Sequence, residues 1–290
     1  MYANISTCEK IPLLLQLIPV YLSFLLITFT MNFTIIFEKN ENFYIRILAL
    51  FLYDPIALLI LITHTKAMCT DPGYVPIPFE PYEQIHHPSI RYQHIFCGKC
   101  NNPRPLRAHH CEICKKCTLK MDHHCPWIFN CIGYYNQKNF YQFLFYSTFG
   151  NLIACAFLFY RVLTTDFTIH NYVPRGIVVH NPFELIIYMF VPLNILFSCM
   201  TAFALFIAVG SLFASQTIMI FNNQTTIEKK KFEDWEKSPF YEKDKMKNFR
   251  SVMGNNFLDW ISLDFKGKAL RNKKAIESSI NIDYTELKDK

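Results

Sequence analysis

Four stretches of mostly apolar residues, approximately 11–33, 43–64, 140–161 and 185–213, constrain this chain more than any other feature. Each is close to the roughly 20 residues an α-helix needs to cross a hydrocarbon core of about 30 Å. Lipid offers no partners to backbone N–H and C=O groups, so such runs must become helices. A buried soluble helix explains one charge-poor run of this length better than it explains four. The first run is longer than the apolar core of a signal peptide and has no small-residue cleavage site after it, so it is expected to be retained. A composition that is 51% hydrophobic and 16% aromatic agrees with a membrane protein.

The basic residues set the orientation. Of 29 Lys and Arg, nine lie between the second and third runs and fifteen follow the fourth. By contrast, only Lys10 precedes the first run, only Lys39 lies in the first loop, and Arg161 and Arg175 flank the third. Loops rich in Lys and Arg stay on the cytosolic side, which places the 66–139 segment and both termini in the cytosol. The formal net charge of +6 is therefore concentrated on the face that meets anionic headgroups. Membrane lipids are expected partners; nucleic acid is not.

Polar features interrupt this plan. Asp54-Pro55 falls inside the second run and Asn194 lies beside Pro192 in the fourth; both are expected to satisfy backbone or neighbouring helices inside a bundle. After the second run, Asp71-Pro72-Gly73 reads as a turn, and the prolines that follow read as a stiff connector. In the tail, Phe257, Trp260, Ile261 and Phe265 recur at helical spacing, as an amphipathic helix lying on the membrane or packing on the protein. Cys8 and Cys69 are open to lipid attachment near a membrane end, whereas Cys155 and Cys199 read as small apolar residues of membrane helices.

Seven of the eleven cysteines crowd into 97–131, with His109, His110, His123 and His124 among them. In a reducing cytosol such a cluster means metal or catalysis rather than disulfides. Cys-x2-Cys occurs at Cys97/Cys100, Cys111/Cys114 and Cys114/Cys117, a spacing that lets two thiolates bind one tetrahedral zinc ion. Two closed sites need eight donors and the segment offers eleven, so three are spare. Spacing does not say which, because the middle cysteines can pair either way. "DHHC", residues 122–125, has the side chains of an activated thiol: an imidazole to take the proton and a carboxylate to orient it. The same residues would also serve a third metal or a rearranged second one.

The segment resembles the DHHC protein S-acyltransferases. The likeness is carried by "RPLRAHHC", "MDHHCPW" and "NCIGYYNQKNF", by Asp71-Pro72-Gly73, by the TTxE pattern at Thr225-Thr226-Ile227-Glu228, and by "NFRSVMG" at 248–254. The resemblance implies an all-α integral membrane protein with four transmembrane helices and a small cytosolic two-zinc domain of short β-hairpins between helices 2 and 3. Its implied segments are helices 1 and 2 in 1–65, a linker in 66–96, the cysteine-rich domain in 97–139, helices 3 and 4 in 140–213, and the tail in 214–290. One structural zinc falls to Cys97, Cys100, His110 and Cys117, and the other to Cys111, Cys114, His124 and Cys131. Cys125 is then the nucleophile, His123 its base and Asp122 the orienting carboxylate, with His109 spare.

The activity implied is protein S-palmitoylation: acyl transfer from palmitoyl-CoA or another acyl-CoA, through a thioester on Cys125, to membrane-proximal cysteines of cytosol-facing proteins. Trp127, Phe140 and Phe143 would line the acyl chain and Arg107 would meet CoA phosphates. Gly150, where the family often has a bulkier residue, predicts acceptance of chains longer than palmitoyl. Thr225, Thr226 and Glu228 would support the catalytic loop, and Asn248 would anchor the tail. The endomembrane system, Golgi or endoplasmic reticulum, is the expected location, with the plasma membrane as the alternative. A zinc scaffold without catalysis would not need the spare Asp122, His123 and Cys125 set. A RING-type ligase would need a more distant second Cys-x2-Cys half.

Overall fold

The computed structural model describes residues 18–37, 43–75, 77, 95–164, 182–231, 238 and 240–263. The long helices are α1 Ile18–Phe37, α2 Phe43–Cys69, α3 Gln137–Thr164 and α4 Pro182–Phe221. Between α2 and α3 come six three-residue strands: β1 Ile95–Cys97, β2 Asn102–Arg104, β3 His109–Cys111, β4 Lys116–Thr118, β5 His123–Cys125 and β6 Asn130–Ile132. Short helices α5 Thr226–Lys231, α6 Lys245–Met253 and α7 Phe257–Ile261 follow α4. The chain divides into two compact units, Met1–Ile62 with Phe143–Phe213, and Thr63–Gln142 with Ala214–Lys290.

Three helical stretches are long and apolar enough to cross a membrane, Phe51–Cys69, Gln137–Thr164 and Pro192–Phe221, and Ile18–Phe33 is a shorter apolar helix. The expected start of the first span at 11–17 lies outside the described residues, as do Cys8, Lys10, Lys39, Arg175, Phe265 and most of the proline run. Two helices outrun their apolar stretches: α2 continues past His64 to Cys69, and α4 past Phe213 to Phe221. Apolarity marks where a helix meets lipid, and the backbone ladder ends only where its last carbonyls find other partners.

In the first unit the four helices share one core. Ile27 and Met31 of α1, Tyr53 and Ala57 of α2, Ala154 and Leu158 of α3, and Ile195, Cys199 and Ala202 of α4 are all buried there. The alanines let backbones approach, as suits helices that gain nothing from hiding apolar surface from lipid. Polar links tie α1 to its neighbours. Thr30 Oγ1 lies 2.9 Å from Ser198 Oγ, which in turn donates to Asn194 Oδ1 at 3.4 Å. Asn32 Nδ2 donates to Asp54 Oδ1 at 3.3 Å. Asn194 thus has the interhelical role expected of it, whereas Asp54 bonds to Asn32 but stays exposed. A cavity of about 510 Å³ opens between α1 and α4, lined by residues including Phe29, Phe33, Phe190 and Phe197.

The second unit is held by hairpins and turns. β1 pairs with β2, β3 with β4 and β5 with β6, each antiparallel. Asp71-Pro72-Gly73 does more than connect. Asp71 Oδ1 accepts from the Gly73 and Tyr74 N–H groups at 2.8 and 3.0 Å, an Asx turn that Gly73 completes with φ of +102°. The turn then pairs with the second hairpin: Leu119 N–H donates to Gly73 O and Val75 N–H to Cys117 O. Asn130 Nδ2 donates to the carbonyls of Met68 and Thr70 at 3.1 and 2.9 Å, and Asn136 Nδ2 to that of Ala67 at 3.1 Å, so two side chains satisfy the end of α2.

Gly133 sits where these elements converge. A Cβ there would lie 2.5 Å from Thr118 Cγ2, 2.6 Å from Pro72 O and 2.9 Å from Leu119 O. Backbone oxygens cannot rotate away, so Gly133→Ala is expected to destabilise this unit by about 1–3 kcal/mol. Thermal unfolding in detergent micelles, with zinc release to a chelator as the second readout, measures the effect; an unchanged transition would contradict this packing.

Candidate active site

The hairpin register builds two donor sets. Cys97, Cys100, His110 and Cys117 place one ligand atom each within 4.8 Å of one another, and so do Cys111, Cys114, His124 and Cys131. Within the first, His110 Nδ1 is 3.8 Å from Cys97 Sγ and 3.2 Å from Cys100 Sγ, and Cys100 and Cys117 Sγ are 3.7 Å apart. Within the second, His124 Nδ1 lies 3.6, 3.4 and 3.7 Å from the sulfurs of Cys111, Cys114 and Cys131. A tetrahedron with bonds of about 2.3 Å has edges of roughly 3.8 Å, so both sets fit zinc. Pairing His110 with Cys117 and His124 with Cys131 across hairpins explains which middle cysteines go together.

Among the described residues, one cysteine of 97–131 belongs to neither set. Cys125 ends β5, is 5% exposed, and pairs in register with Asn130 across a tight turn. Two residues earlier on the same strand, His123 places Nδ1 2.7 Å from Asp122 Oδ2, which leaves Nε2 for the sulfur. Burial alone disfavours a charged ring, but the bonds to Asp122 and to Cys125 outweigh it and push His123 up to about 9. Asp122, 2% exposed, is likewise disfavoured as an anion by burial, yet its hydrogen bonds hold its carboxyl below the usual range. The edge of the Phe140 ring packs against His123, centroids 5.5 Å apart.

The tail supplies Asp122 with its other partners. Thr226 N–H donates to Oδ1 at 2.6 Å, and Thr226 Oγ1 and Gln216 Nε2 donate to Oδ2 at 3.0 and 2.9 Å. Thr226 is held there by a capping box. Thr225 Oγ1 accepts from Glu228 N–H at 3.3 Å and Glu228 Oε2 accepts from Thr225 N–H at 2.9 Å, which starts α5. Glu228 also receives Arg107 in a fork, Nε to Oε1 at 2.6 Å and Nη2 to Oε2 at 2.8 Å.

Several expected site residues have other work. Arg107 is not free for CoA phosphates: besides Glu228 its guanidinium donates to Asn223 Oδ1 and O, and the Phe240 ring covers it. The space beside Gly150 is filled, since a Cβ would meet Ile60 Cδ1 at 3.0 Å and Ile56 Cγ2 at 3.1 Å. The glycine thus serves close packing of α3 on α2. Phe140 is buried beside His123, Phe143 is partly buried on α3, and neither borders the 510 Å³ cavity. Trp127 remains exposed in the turn after Cys125, its carbonyl 2.9 Å from His64 Nε2. Asn248 donates to Phe221 O at 2.7 Å and Glu242 O at 2.9 Å. His109 pairs opposite Thr118 on the second hairpin.

Gln216 and Asn223 went unrecognised in the sequence because they lie beyond the expected end of the fourth apolar run. The useful signal was a polar residue on the continuation of that helix shortly before the TTxE pattern.

A thiol beside an oriented imidazole, next to two Cys/His sets that could hold metal, on a segment lying in sequence between apolar helices, is a candidate thiol centre. Residues 90–233 match the family model described as DHHC palmitoyltransferase. The chain is 34% identical over 199 residues to Palmitoyltransferase ZDHHC3-A of Danio rerio, covering 66% of this chain and 58% of the relative. It is 33% identical over 219 residues to Palmitoyltransferase ZDHHC3 of Homo sapiens, covering 72% and 67% respectively. To the Probable protein S-acyltransferase 15 of Arabidopsis thaliana it is 38% identical over 116 residues, covering 37% and 45%. The chain belongs to the DHHC palmitoyltransferase family.

The Arg107–Glu228 pair is buried on both sides, the two side chains being 11% and 4% exposed. Removing one member strands the other charge, so Arg107→Met is expected to cost about 3–5 kcal/mol, and adding Glu228→Gln to recover part of that loss. Thermal unfolding of the single and double variants measures it; a double variant as unstable as the sum of the singles would refute the pairing.

Proposed function

We propose that this chain is a protein S-palmitoyltransferase that moves a fatty acyl group from acyl-CoA to cysteine thiols of membrane-associated proteins. The observation that carries this reading is the Cys125 thiol, outside both donor sets, next to a histidine whose other nitrogen is fixed by buried Asp122. Metal bound at the two sets would hold the hairpins, and with them Cys125 and His123, in place. Cys125 gives its proton to His123, and the thiolate attacks the acyl-CoA thioester carbonyl. The carbon–sulfur bond to CoA breaks, the CoA thiol leaves with a proton, and the acyl group rests on Cys125. A substrate thiol then repeats the exchange in reverse roles. Breaking one thioester while making another is nearly balanced, so the site has to generate thiolate and exclude water rather than drive a hard step.

The exposed Trp127 ring beside Cys125 offers an apolar surface to the arriving acyl chain. Four membrane spans, with the cysteine-rich segment and both termini in the cytosol, remain the proposed topology, supported by the distribution of Lys and Arg. An endomembrane location, in Golgi or endoplasmic reticulum, is proposed with it.

Incubation of purified protein with labelled palmitoyl-CoA tests the reading. Hydroxylamine-sensitive label is expected on the wild type and absent from Cys125→Ser, with zinc near two per chain in both. Label persisting in the variant would assign the nucleophile elsewhere, and loss of zinc would make Cys125 a ligand. Gln216→Leu removes one charge-assisted hydrogen bond from Asp122 and should slow self-acylation roughly tenfold or more. In an Asp122→Asn background the same change should add little; a full additional loss would mean that Gln216 does not act through Asp122.

A further inference from the structure

His64 is an ionisable side chain on an apolar helix, 2% exposed within the stretch Phe51–Cys69. It belongs to the same compact unit as the thiol, the one that contains Thr63–Gln142. A buried polar ring is costly without a partner, and in apolar helices of this length such a group marks a functional position by default. The partner is the carbonyl of Trp127, 2.9 Å from Nε2. A carbonyl only accepts, so Nε2 carries the hydrogen and donates it.

That carbonyl lies in the turn that follows the thiol. Three successive carbonyls there are engaged. Cys125 O accepts from Ile128 N–H and Pro126 O from Phe129 N–H, both at 3.2 Å, and Trp127 O accepts from His64. The first two bonds close the turn on itself, whereas the third ties it to another element. The far end of the turn is held to the same helix, since Asn130 Nδ2 donates to the carbonyls of Met68 and Thr70 at 3.1 and 2.9 Å. His64 and Met68 are four residues apart and share a face of α2. The turn is thus strapped at both ends to the last two turns of one helix. It has reason to be: Phe129 has φ of +55°, a left-handed backbone that a bulky side chain rarely adopts. Such a conformation persists where its surroundings over-determine it.

We propose that His64 is a positioning residue for the Cys125 thiol. By holding the Trp127 carbonyl it keeps the turn closed, and with it the end of β5. His123 and Cys125 are two residues apart on that strand, so their side chains share one face. Their contact, through which the thiol gives up its proton, lasts only while the strand end does not twist away. The inference rests on the proposed acyl transfer through Cys125 and adds to it a residue that touches neither the thiol nor the acyl group.

Self-acylation and hydrogen exchange of the full chain in detergent micelles test it, comparing wild type, His64→Leu and His64→Gln. Glutamine is chosen because its amide nitrogen reaches about as far as the imidazole Nε2. In His64→Leu the rate of self-acylation at saturating labelled palmitoyl-CoA is expected to fall roughly tenfold, the effect of one lost hydrogen bond. The half-saturating concentration stays unchanged, zinc stays near two per chain, and the amides of Trp127, Ile128 and Phe129 exchange faster. His64→Gln recovers most of both losses. An unchanged rate in His64→Leu, a rate as low in His64→Gln, or a rise in half-saturating concentration alone overturns the inference. Loss of zinc together with the rate also overturns it, because His64 would then serve the fold and not the thiol. If the wild type takes no label while His64→Leu still speeds exchange in the turn, the acyl-transfer reading fails and the hold of His64 on the turn stands.

Discussion

Everything in the second unit depends on two sets of four donors being drawn to a common point each. Strands of three residues cannot hold themselves together; an isolated two-stranded hairpin is marginal even when longer. The hairpins here have little apolar core, and several of their buried residues are the cysteines themselves. A tetrahedral ion held at each set would replace the missing core, because its binding free energy would become folding free energy. The interleaving matters as much as the count. Cys111 belongs to the second set while His110 beside it belongs to the first, so the two knuckles cannot form as independent beads.

From that frame a single buried carboxylate extends order to the tail. Asp122 faces His123 on one side and Thr226 and Gln216 on the other, and Glu228, two residues after Thr226, returns to the cysteine-rich segment through Arg107. Two acidic groups, far apart in sequence and each buried, thus close a ring of hydrogen bonds. Burying either anion without these donors would be costly, and the donors come from elements with no other reason to meet. In this chain the TTxE pattern is at once a helix cap, an anion receptor and a counter-ion.

Much of this was readable beforehand, for reasons that differ by feature. Long apolar runs declare membrane helices because lipid leaves few alternatives, and three of the four expected spans have full-length counterparts. The division of donors between metals was not readable from spacing, since Cys114 can pair on either side; hairpin register decides it. The Arg107–Glu228 pair was not legible because a cation near a membrane suits a phosphate as well as a carboxylate, and Glu228 is 121 residues away in sequence. The neighbours of Gly150 were not legible because a glycine on a helix signals either an open space or a close neighbour, and here Ile56 and Ile60 lie close. Asp71-Pro72-Gly73 was legible as a turn, but turn residues do not reveal what the turn pairs with.

The order of the chain gives the Asp122 ring a temporal meaning. All eight donors and Cys125 precede α3, whereas Gln216 and Thr226 follow α4. A ribosome that has released the cysteine-rich segment has therefore made the whole metal module and the thiol, but none of the tail groups that hold the carboxylate in place. His123 then has an orienting partner that is itself unheld. Among the described elements, the groups that hold Asp122 thus arrive only with α4 and the segment after it, so both donor sets can be complete before that carboxylate is held.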